Sequence, residues 1–155
     1  MDSIQNLLNI FSNKFPILNN ITIDIIPFNN LYVARCIVDT IGDFIPVKKG
    51  RIQQVTPTKI ILTNRVFDLS LEKLLIIFTH ECAHAITPRR ERKVKNQFIR
   101  IDHSRQFYEN FFLLIKIANH NNIIHTTFDN VEQLMNFDNR KDNVTNDYRL
   151  YKKHF

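Results

Sequence analysis

The chain has 155 residues and a mass of 18.5 kDa, which suffices for one domain with a hydrophobic core and excludes two sizeable ones. Two cysteines exclude a disulfide framework, and no apolar run approaches the roughly 18 residues that cross a bilayer. The N-terminus also lacks the basic start and apolar stretch of a secretory signal. We therefore expect a single soluble intracellular domain over residues 1–155, in the cytoplasm or nucleus, with no membrane partner. The net charge of +6 indicates some attraction to polyanions.

The first part of the chain predicts one helix followed by two strands. Apolar residues recur at helical spacing over residues 3–14, which predicts an amphipathic helix. Isoleucines alternate with polar residues over 21–25, and residues 31–38 are rich in β-branched and apolar side chains, so each segment predicts a strand. The short connection at 27–30 predicts that these two strands form a hairpin.

The middle of the chain predicts two more strands and a buried helix. The strands are expected at 51–55 and 59–62. Ser70 is a good N-cap, so a helix is predicted from residue 71 to about residue 86, ending before Pro88. Five consecutive apolar residues within it indicate that this helix is buried on most sides.

Two further helices are predicted downstream. The first is capped by Asp102 or Ser104 and carries aromatic residues at helical spacing, which we assign to the core. The second is short and covers residues 131–137, and the sequence after Asp138 is too polar to predict an element. Together these elements predict an α+β fold in which a small antiparallel or mixed sheet packs on the middle helix, with flanking helices.

The segment Thr79-His80-Glu81-Cys82-Ala83-His84 carries the most specific chemistry in the chain. Residues four apart in a helix lie one turn above each other, so His80 and His84 can offer ring nitrogens to one metal ion. Glu81 is then placed to reach a water that the metal holds. Zinc lowers the pKa of such a water to about 7, and a neighbouring carboxylate can take its proton. The motif predicts a zinc metallopeptidase with Glu81 as its catalytic base.

A catalytic zinc site has three protein ligands, so a third donor is expected downstream of His84. The metzincin pattern requires Gly three residues and His six residues after the second ligand, but Thr87 and Arg90 occupy these positions. The main candidates are therefore His103, as a third imidazole, and Glu109, as in a thermolysin-like site.

Helical geometry favours His103 over Glu109 as the third ligand. We expect His103 in the first turn of the next helix, four residues before Phe107 and on the same apolar side. Glu109 lies about 240° further round that helix, so the two side chains cannot both face the metal.

Four other side chains near the motif receive different interpretations. Asp102 either caps the next helix or accepts a hydrogen bond from a ligating imidazole. His120 and His125 lie in an Asn-rich connection typical of the surface, although each is an alternative third ligand. Cys82 points away from the two histidines of the helix and is expected to be a small core thiol.

Basic residues cluster after the motif and again in the tail. They are Arg89, Arg90, Arg92, Lys93, Lys95, Arg100 and Arg105, followed by Arg140, Lys141, Arg149, Lys152 and Lys153. One interpretation is a solvated basic face. The other is a phosphate-contacting rim beside the active site, which would make association strongly salt dependent.

Three features occur in a fixed order: the strand Ile60-Ile61-Leu62, the helix with His80-Glu81-Cys82-Ala83-His84-Ala85, and His103 followed by Phe107. In this order they resemble the SprT-like and WLM metalloprotease families over about residues 58–118. The resemblance implies a compact zincin-like domain with zinc as cofactor, His80, His84 and His103 as ligands, and Glu81 as general base. It also implies substrates that include proteins covalently or tightly attached to DNA.

The chain departs from these families in several places. Ser104 stands where a Gly often follows the third His, and a basic stretch fills the gap between His84 and His103. The chain also lacks Cys pairs of the zinc-ribbon kind, so the resemblance does not extend to a separate DNA-binding module.

Two hypotheses of function follow. The first is an endopeptidase that hydrolyses a protein or peptide substrate, whose backbone is expected to pair with a sheet edge above the metal helix. The second is a nucleic-acid-binding or regulatory protein with a structural zinc, which would have four protein ligands and a closed site. An open coordination position distinguishes the first from the second.

Overall fold

The computed structural model describes residues 2–139 and arranges them as a mixed α+β fold, which confirms the predicted class. Its helices and strands are, in chain order, α1 (Asp2–Lys14), β1 (Thr22–Ile26), β2 (Ala34–Val47), β3 (Gly50–Thr63), α2 (Leu71–Ile86), β4 (Arg89–Val94), β5 (Gln97–Ile101), α3 (Arg105–His120) and α4 (Val131–Asp138). Short 3-10 helices occur at Pro16–Leu18 and Asn64–Asp68. The predicted domain and the basic tail extend past residue 139, and that part lies outside the described residues.

The sheet is built around β3, which pairs with three other strands. β2 runs antiparallel to it along one edge, from the Ala34–Leu62 pair to the Val47–Gly50 pair. On the other edge, β1 runs parallel beside residues 59–63, β4 runs antiparallel beside residues 50–53, and β5 pairs with β4. The sheet is therefore mixed.

Two predictions about the strands are wrong. β1 and β2 do not form a hairpin, because β3 lies between them and pairs with both. The strands predicted at 51–55 and 59–62 are parts of one long strand, since β3 continues through Pro57, which is paired with Val38. A strand can accommodate a proline at an irregularity, and the pairing register shifts at this point.

Irregularities in pairing bend the long β2–β3 ribbon. The register shifts between Ile37 and Val38 and again between Ile41 and Ile45. Gly42 lies in the second irregularity with a φ of 72°, a left-handed conformation that glycine adopts without steric cost. Extra residues in one strand bend it and increase its twist. The sheet consequently curls, and the first part of β2 lies beside α2.

α2 is the central helix of the described fold. Every side chain from Leu74 to Ala83 is buried, as the apolar run predicts. Core residues from the other elements are Ile4, Leu7 and Phe11 in α1, Ile60 and Leu62 in β3, and Phe107, Phe111, Leu114 and Ile115 in α3. Because protein interiors are close-packed, a helix enclosed in this way presents its polar side chains in fixed positions.

Hydroxyl caps set the beginnings of the two long helices around the core. The Ser70 hydroxyl accepts a hydrogen bond from the Lys73 N–H at 3.2 Å, and α2 begins at the next residue, as predicted. The Ser104 hydroxyl caps α3 in the same way, accepting from the Phe107 N–H at 3.2 Å. Among residues 2–139, no helix combines the length and the apolar character needed to cross a membrane.

The sequence predicts neither the β4–β5 hairpin nor the second part of β2, which continues past residue 38 to Val47. A two-residue turn joins the strands of the hairpin, and both turn residues, Lys95 and Asn96, have left-handed φ angles of 48° and 64°. β4 lies close against the start of β3. A side chain at Gly50 would collide with the backbone carbonyl of Glu91, so this contact requires glycine. The hairpin links α2 to α3 and forms one end of the sheet.

Candidate metal centre

α2 brings His80 and His84 to one site, one helical turn apart. Their ring centroids are 5.0 Å from each other, as expected for residues four apart in a helix. His80 is 5 % exposed, whereas His84 is half-buried in the wall of an open cleft. The structure thus places the two imidazoles next to each other, as the spacing of His80 and His84 in the sequence predicts.

The third imidazole, His103, comes from the connection between β5 and α3. Its Nε2 lies 3.2 Å from Nε2 of His80, and its ring centroid is 5.0 Å from that of His84. Within the described residues the three histidines form a group whose ligand atoms all lie within 4.8 Å of one another. The prediction that His103 lies in the first turn of α3 is wrong, because Ser104 caps that helix and His103 precedes the cap.

The distance between two of the imidazoles fits a metal ion, and the protonation of the third, His84, also suits one. Two nitrogens bound to a tetrahedral zinc at about 2.0–2.1 Å are about 3.3 Å apart. The Nε2 atoms of His80 and His103 are separated by 3.2 Å. Burial lowers the pKa of His84 well below its usual value, and the charges of His80, His103 and Arg100 lower it further. A neutral imidazole keeps the lone pair that a metal ligand needs, so this donor set could hold a metal ion.

Phe107 packs against all three imidazoles from the core side. Its ring centroid lies 4.9 Å from that of His80, 4.3 Å from that of His84 and 4.9 Å from that of His103. The Phe107 side chain is fully buried, as predicted for the aromatic face of α3. Its contacts limit the rotamers of the imidazoles and exclude water from this side of the site.

Asp138, at the end of α4, is a buried site residue that sequence reasoning missed. One of its carboxylate oxygens lies 3.1 Å from Nδ1 of His80, and the other accepts a hydrogen bond from the Tyr108 hydroxyl at 2.9 Å. It lies 58 residues from His80, and no spacing rule connects the two. Asp102, the residue predicted to be a helix cap or a histidine partner, is instead 59 % exposed and pairs with Arg100 at 2.8 Å.

Protonation at this buried pair is set by its hydrogen bonds. Burial alone would raise the pKa of Asp138, but the hydrogen bond and charge of His80 and the hydrogen bond from Tyr108 outweigh it and lower the pKa. Burial alone would lower the pKa of His80, but Asp138 and Glu81 raise it overall. An ionised carboxylate only accepts, so Nδ1 of His80 carries the proton in this hydrogen bond.

Glu81 lies next to the histidines and lines the same cleft. It is 6 % exposed, and burial raises the pKa of its carboxyl. The charge of His80, a hydrogen bond from the Cys36 backbone N–H and the charge of Arg35 oppose this rise. The Glu81 carboxylate is therefore located between the imidazoles of α2 and the first part of β2.

The cleft beside the histidines has a volume of about 320 Å³. Its walls come from α2, from the first part of β2, from β3, from the start of β4 and the end of β5, and from the β5–α3 connection. Within residues 2–139, the edge of β2 that faces away from β3 pairs with no other strand. Backbone N–H and C=O groups on such an edge can pair with an added extended chain.

The other candidate ligands lie away from this group. Glu109 is 56 % exposed and pairs with Arg105 at 3.3 Å on the outside of α3. His120, at the end of α3, and His125, in the following connection, are both exposed. Cys82 is fully buried in the core, as predicted, and burial raises its pKa well above the usual value.

The predicted basic rim maps mainly onto the β4–β5 hairpin. Residues 89–100 carry six cations and one carboxylate, which gives this segment a net charge of +5. The turn between β2 and β3 lies beside the hairpin, with the Lys93 N–H donating to the Lys49 carbonyl at 2.9 Å. Arg89 and Arg100 line the cleft itself. Positive charge therefore extends from the hairpin to the candidate metal centre.

The described site thus combines three imidazole donors, the two buried carboxylates of Glu81 and Asp138, and a cleft bordered by an unpaired strand edge. Comparisons with protein-family models, with curated proteins and with solved structures find no match to this chain.

Proposed function

We propose that this chain is a metal-dependent hydrolase with a zincin-like fold. The observation that carries the proposal is the convergence of His80, His84 and His103 at one end of a cleft that Glu81 also lines. The narrower proposal is a zinc endopeptidase, which cleaves peptide bonds within protein chains. A mixed sheet with an open edge lies beside the helix that carries the motif, and this arrangement supports both the hydrolase and the endopeptidase proposal.

Zinc is the metal that best suits this combination of groups. Three histidine nitrogens are the ligand set of a known class of catalytic zinc sites, in which the fourth position is left for water or substrate. A bound zinc ion supplies Lewis acidity, which activates water and polarises a peptide carbonyl. His84 is half-buried and His103 is exposed, and both line the cleft. The fourth position of a bound zinc ion would therefore face the cleft.

Glu81 is the proposed general base and acid. A carboxylate in this position takes a proton from the attacking water and then passes it to the amine that leaves when the peptide bond breaks. Glu81 follows His80 directly on a rigid, buried helix, so its distance from the ligands is fixed. The Cys36 N–H and the charge of Arg35 both lower the pKa of the Glu81 carboxyl. Both groups belong to β2, where the substrate is expected to lie.

The substrate is proposed to bind as an added strand along the open edge of β2. Main-chain hydrogen bonds would hold an extended peptide there with little sequence preference. The first part of β2, from Ala34 to Val38, lines the cleft together with His80 and Glu81. A peptide on this edge would therefore pass beside both the metal ligands and the base.

The proposal is tested by measuring cleavage and zinc content in the same preparations. The zinc-loaded protein should cleave an unstructured substrate such as casein. Glu81→Gln should keep its zinc and its fold but lose at least about 100-fold in rate, because the proton transfer is removed. Glu109→Gln, which changes an exposed glutamate outside the site, is the matched control and should remain active. Full activity of Glu81→Gln would show that this residue is not the base.

The rival function is a nucleic-acid-binding or regulatory protein with a structural zinc. Such a site is closed by four protein ligands, whereas the described group offers three and borders an open cleft. A zinc-loaded wild-type protein that cleaves no substrate and unfolds when zinc is chelated would favour this rival.

We further propose that the substrates are proteins bound or crosslinked to DNA. The support is the net charge of +5 on residues 89–100, together with the placement of Arg89 and Arg100 in the cleft wall. Cations at this position would hold the phosphate backbone next to the site of cleavage. The hypothesis that these residues are only a solvated basic face predicts no specific contribution to DNA binding.

A further inference from the structure

We propose that Asp138 is a positioning residue for the metal centre. Because Asp138 is the last residue of α4, the packing of this helix places its carboxylate beside His80. The carboxylate would hold the His80 ring in the tautomer and orientation that present Nε2 to the metal. This inference rests on the proposed metal site, but it does not depend on which bond the protein hydrolyses.

Both oxygens of the Asp138 carboxylate are engaged, so the group has one orientation. Oδ1 lies 3.1 Å from Nδ1 of His80, and Oδ2 accepts from the Tyr108 hydroxyl at 2.9 Å. Asp138 is 8 % exposed and Tyr108 is 3 % exposed, so water does not compete strongly for these bonds. A carboxylate fixed at both oxygens fixes the imidazole that donates to it.

The proton position that follows is the one a ligating histidine requires. When Nδ1 donates to Asp138, a neutral His80 carries its lone pair on the opposite ring nitrogen. That nitrogen, Nε2, is the atom 3.2 Å from Nε2 of His103. Ligating histidines that donate their second nitrogen to a carboxylate are held in one tautomer and are more basic ligands.

Contacts of α4 and of the connection before it place Asp138 in this position. The Asn130 side chain caps the helix, and Leu134 is fully buried against the core. Arg105 of α3 pairs with Glu132 at 2.6 Å. Upstream, the Glu72 carboxylate of α2 accepts hydrogen bonds from the backbone N–H groups of residues 125 and 126. The connection to α4 is thus attached to the helix that carries His80.

The test compares zinc affinities of metal-free proteins titrated in a competing chelator. Asp138→Asn keeps the size of the side chain, removes its charge and should weaken zinc binding by about 10- to 100-fold. Asp24→Asn makes the same chemical change at a half-exposed position on β1, far from His80 in the chain, and should bind zinc like the wild type. Thermal unfolding of the metal-free proteins shows whether Asp138→Asn is folded. Equal zinc affinity in Asp138→Asn and the wild type would overturn the proposal.

A second variant and a spectroscopic measurement keep the inference testable if Asp138→Asn does not fold. Tyr108→Phe removes the hydrogen bond to Oδ2 without touching His80, and should weaken zinc binding by a smaller factor than Asp138→Asn. In zinc-loaded wild type, nitrogen NMR should show His80 protonated at Nδ1 and zinc-bound at Nε2. Binding through Nδ1 would contradict a role for Asp138 in setting the tautomer.

These measurements separate this inference from the proposed peptidase activity. Weaker zinc binding in Asp138→Asn supports the inference even if the wild type cleaves no protein, which would defeat only the proposed function. Conversely, a wild type that cleaves casein while Asp138→Asn binds zinc with unchanged affinity would overturn the inference and leave the function standing.

Discussion

Glu91 is a carboxylate held between two guanidinium groups at the end of the sheet. Its oxygens lie 2.7 Å from Arg51 and 3.0 Å from Arg89, on β3 and on β4 itself. The Arg51 guanidinium also lies 3.7 Å from the ring centroids of both Phe44 and Phe98, a cation–π arrangement on two faces. Hydrogen bonds from Arg51 and then from Arg89 lower the pKa of Glu91 below its usual value of 4.5. Glu91 therefore connects the strands of this basic region electrostatically.

The lowered pKa of Glu91 predicts a pH-dependent contribution to stability. Because the folded protein binds this proton less tightly than the unfolded chain, the contribution is fully present above pH 4.5 and is lost as pH falls through the lowered pKa. Glu91→Gln should be less stable than the wild type near pH 7, and the difference should shrink in acid. Urea unfolding of the metal-free proteins between about pH 3 and pH 7 measures it. A difference that stays constant over this range would contradict the prediction.

The candidate site shows which residue roles a sequence can reveal. His80, Glu81 and His84 occupy one helical segment, so their shared location follows from helix geometry alone. His103 could be proposed because few histidines follow the motif and Phe107 marks the inner face of the next helix. Asp138 is one of 15 acidic residues, and its role depends on how α4 packs. Tertiary packing leaves no signal in residue spacing.

At the scale of elements, the helices were predictable and the pairing of the strands was not. Helices form from local periodicity and caps, which explains why α2 begins after Ser70 as expected. β4 consists largely of charged residues, so it lacks the alternation of apolar and polar side chains that predicts a strand. β1 and β2 are joined by a short connection, yet a segment later in the chain, β3, lies between them. Strand order depends on such non-local contacts.

The position of the β4–β5 hairpin predicts how the proposed binding of DNA should depend on salt. Arg92, Lys93 and Lys95 are exposed, so replacing all three with Gln removes cations without opening the core. If each contacts a phosphate, the triple variant should bind duplex DNA more weakly, and the slope of log K against log salt should decrease by up to about 2.7. Fluorescence anisotropy at several salt concentrations measures both quantities.

A matched control distinguishes a specific interface from general charge. Lys14, Lys73 and Lys116 are also exposed but belong to α1, α2 and α3, so replacing them with Gln removes the same charge elsewhere. This control should change the salt slope less than the hairpin variant. Equal effects of the two triple variants would assign DNA binding to net charge and reject the hairpin as the interface.

At the scale of the whole molecule, the candidate metal centre joins elements that are distant in the chain. His80 and His84 belong to α2, His103 to the connection before α3, and Asp138 to the end of α4. A metal ion bound by the three histidines would therefore crosslink the central helix to the β4–β5–α3 region. Because an unfolded chain cannot hold these ligands together, metal binding should favour the folded state.

This coupling predicts that zinc stabilises the protein against heat. A ligand at 100 times its dissociation constant stabilises the folded state by about 2.7 kcal/mol, which corresponds to a rise in Tm of about 5–10 °C for a domain of this size. His103→Ala removes one of three ligands from an exposed connection, so the metal-free variant should unfold near the wild-type temperature. At the same buffered zinc concentration the Tm of His103→Ala should rise much less, because the two remaining ligands lie on one helix and cannot connect α2 to the following region.

Calorimetry of both proteins, each with zinc and with chelator, tests this prediction. A zinc-induced rise in His103→Ala as large as in the wild type would place the third ligand elsewhere.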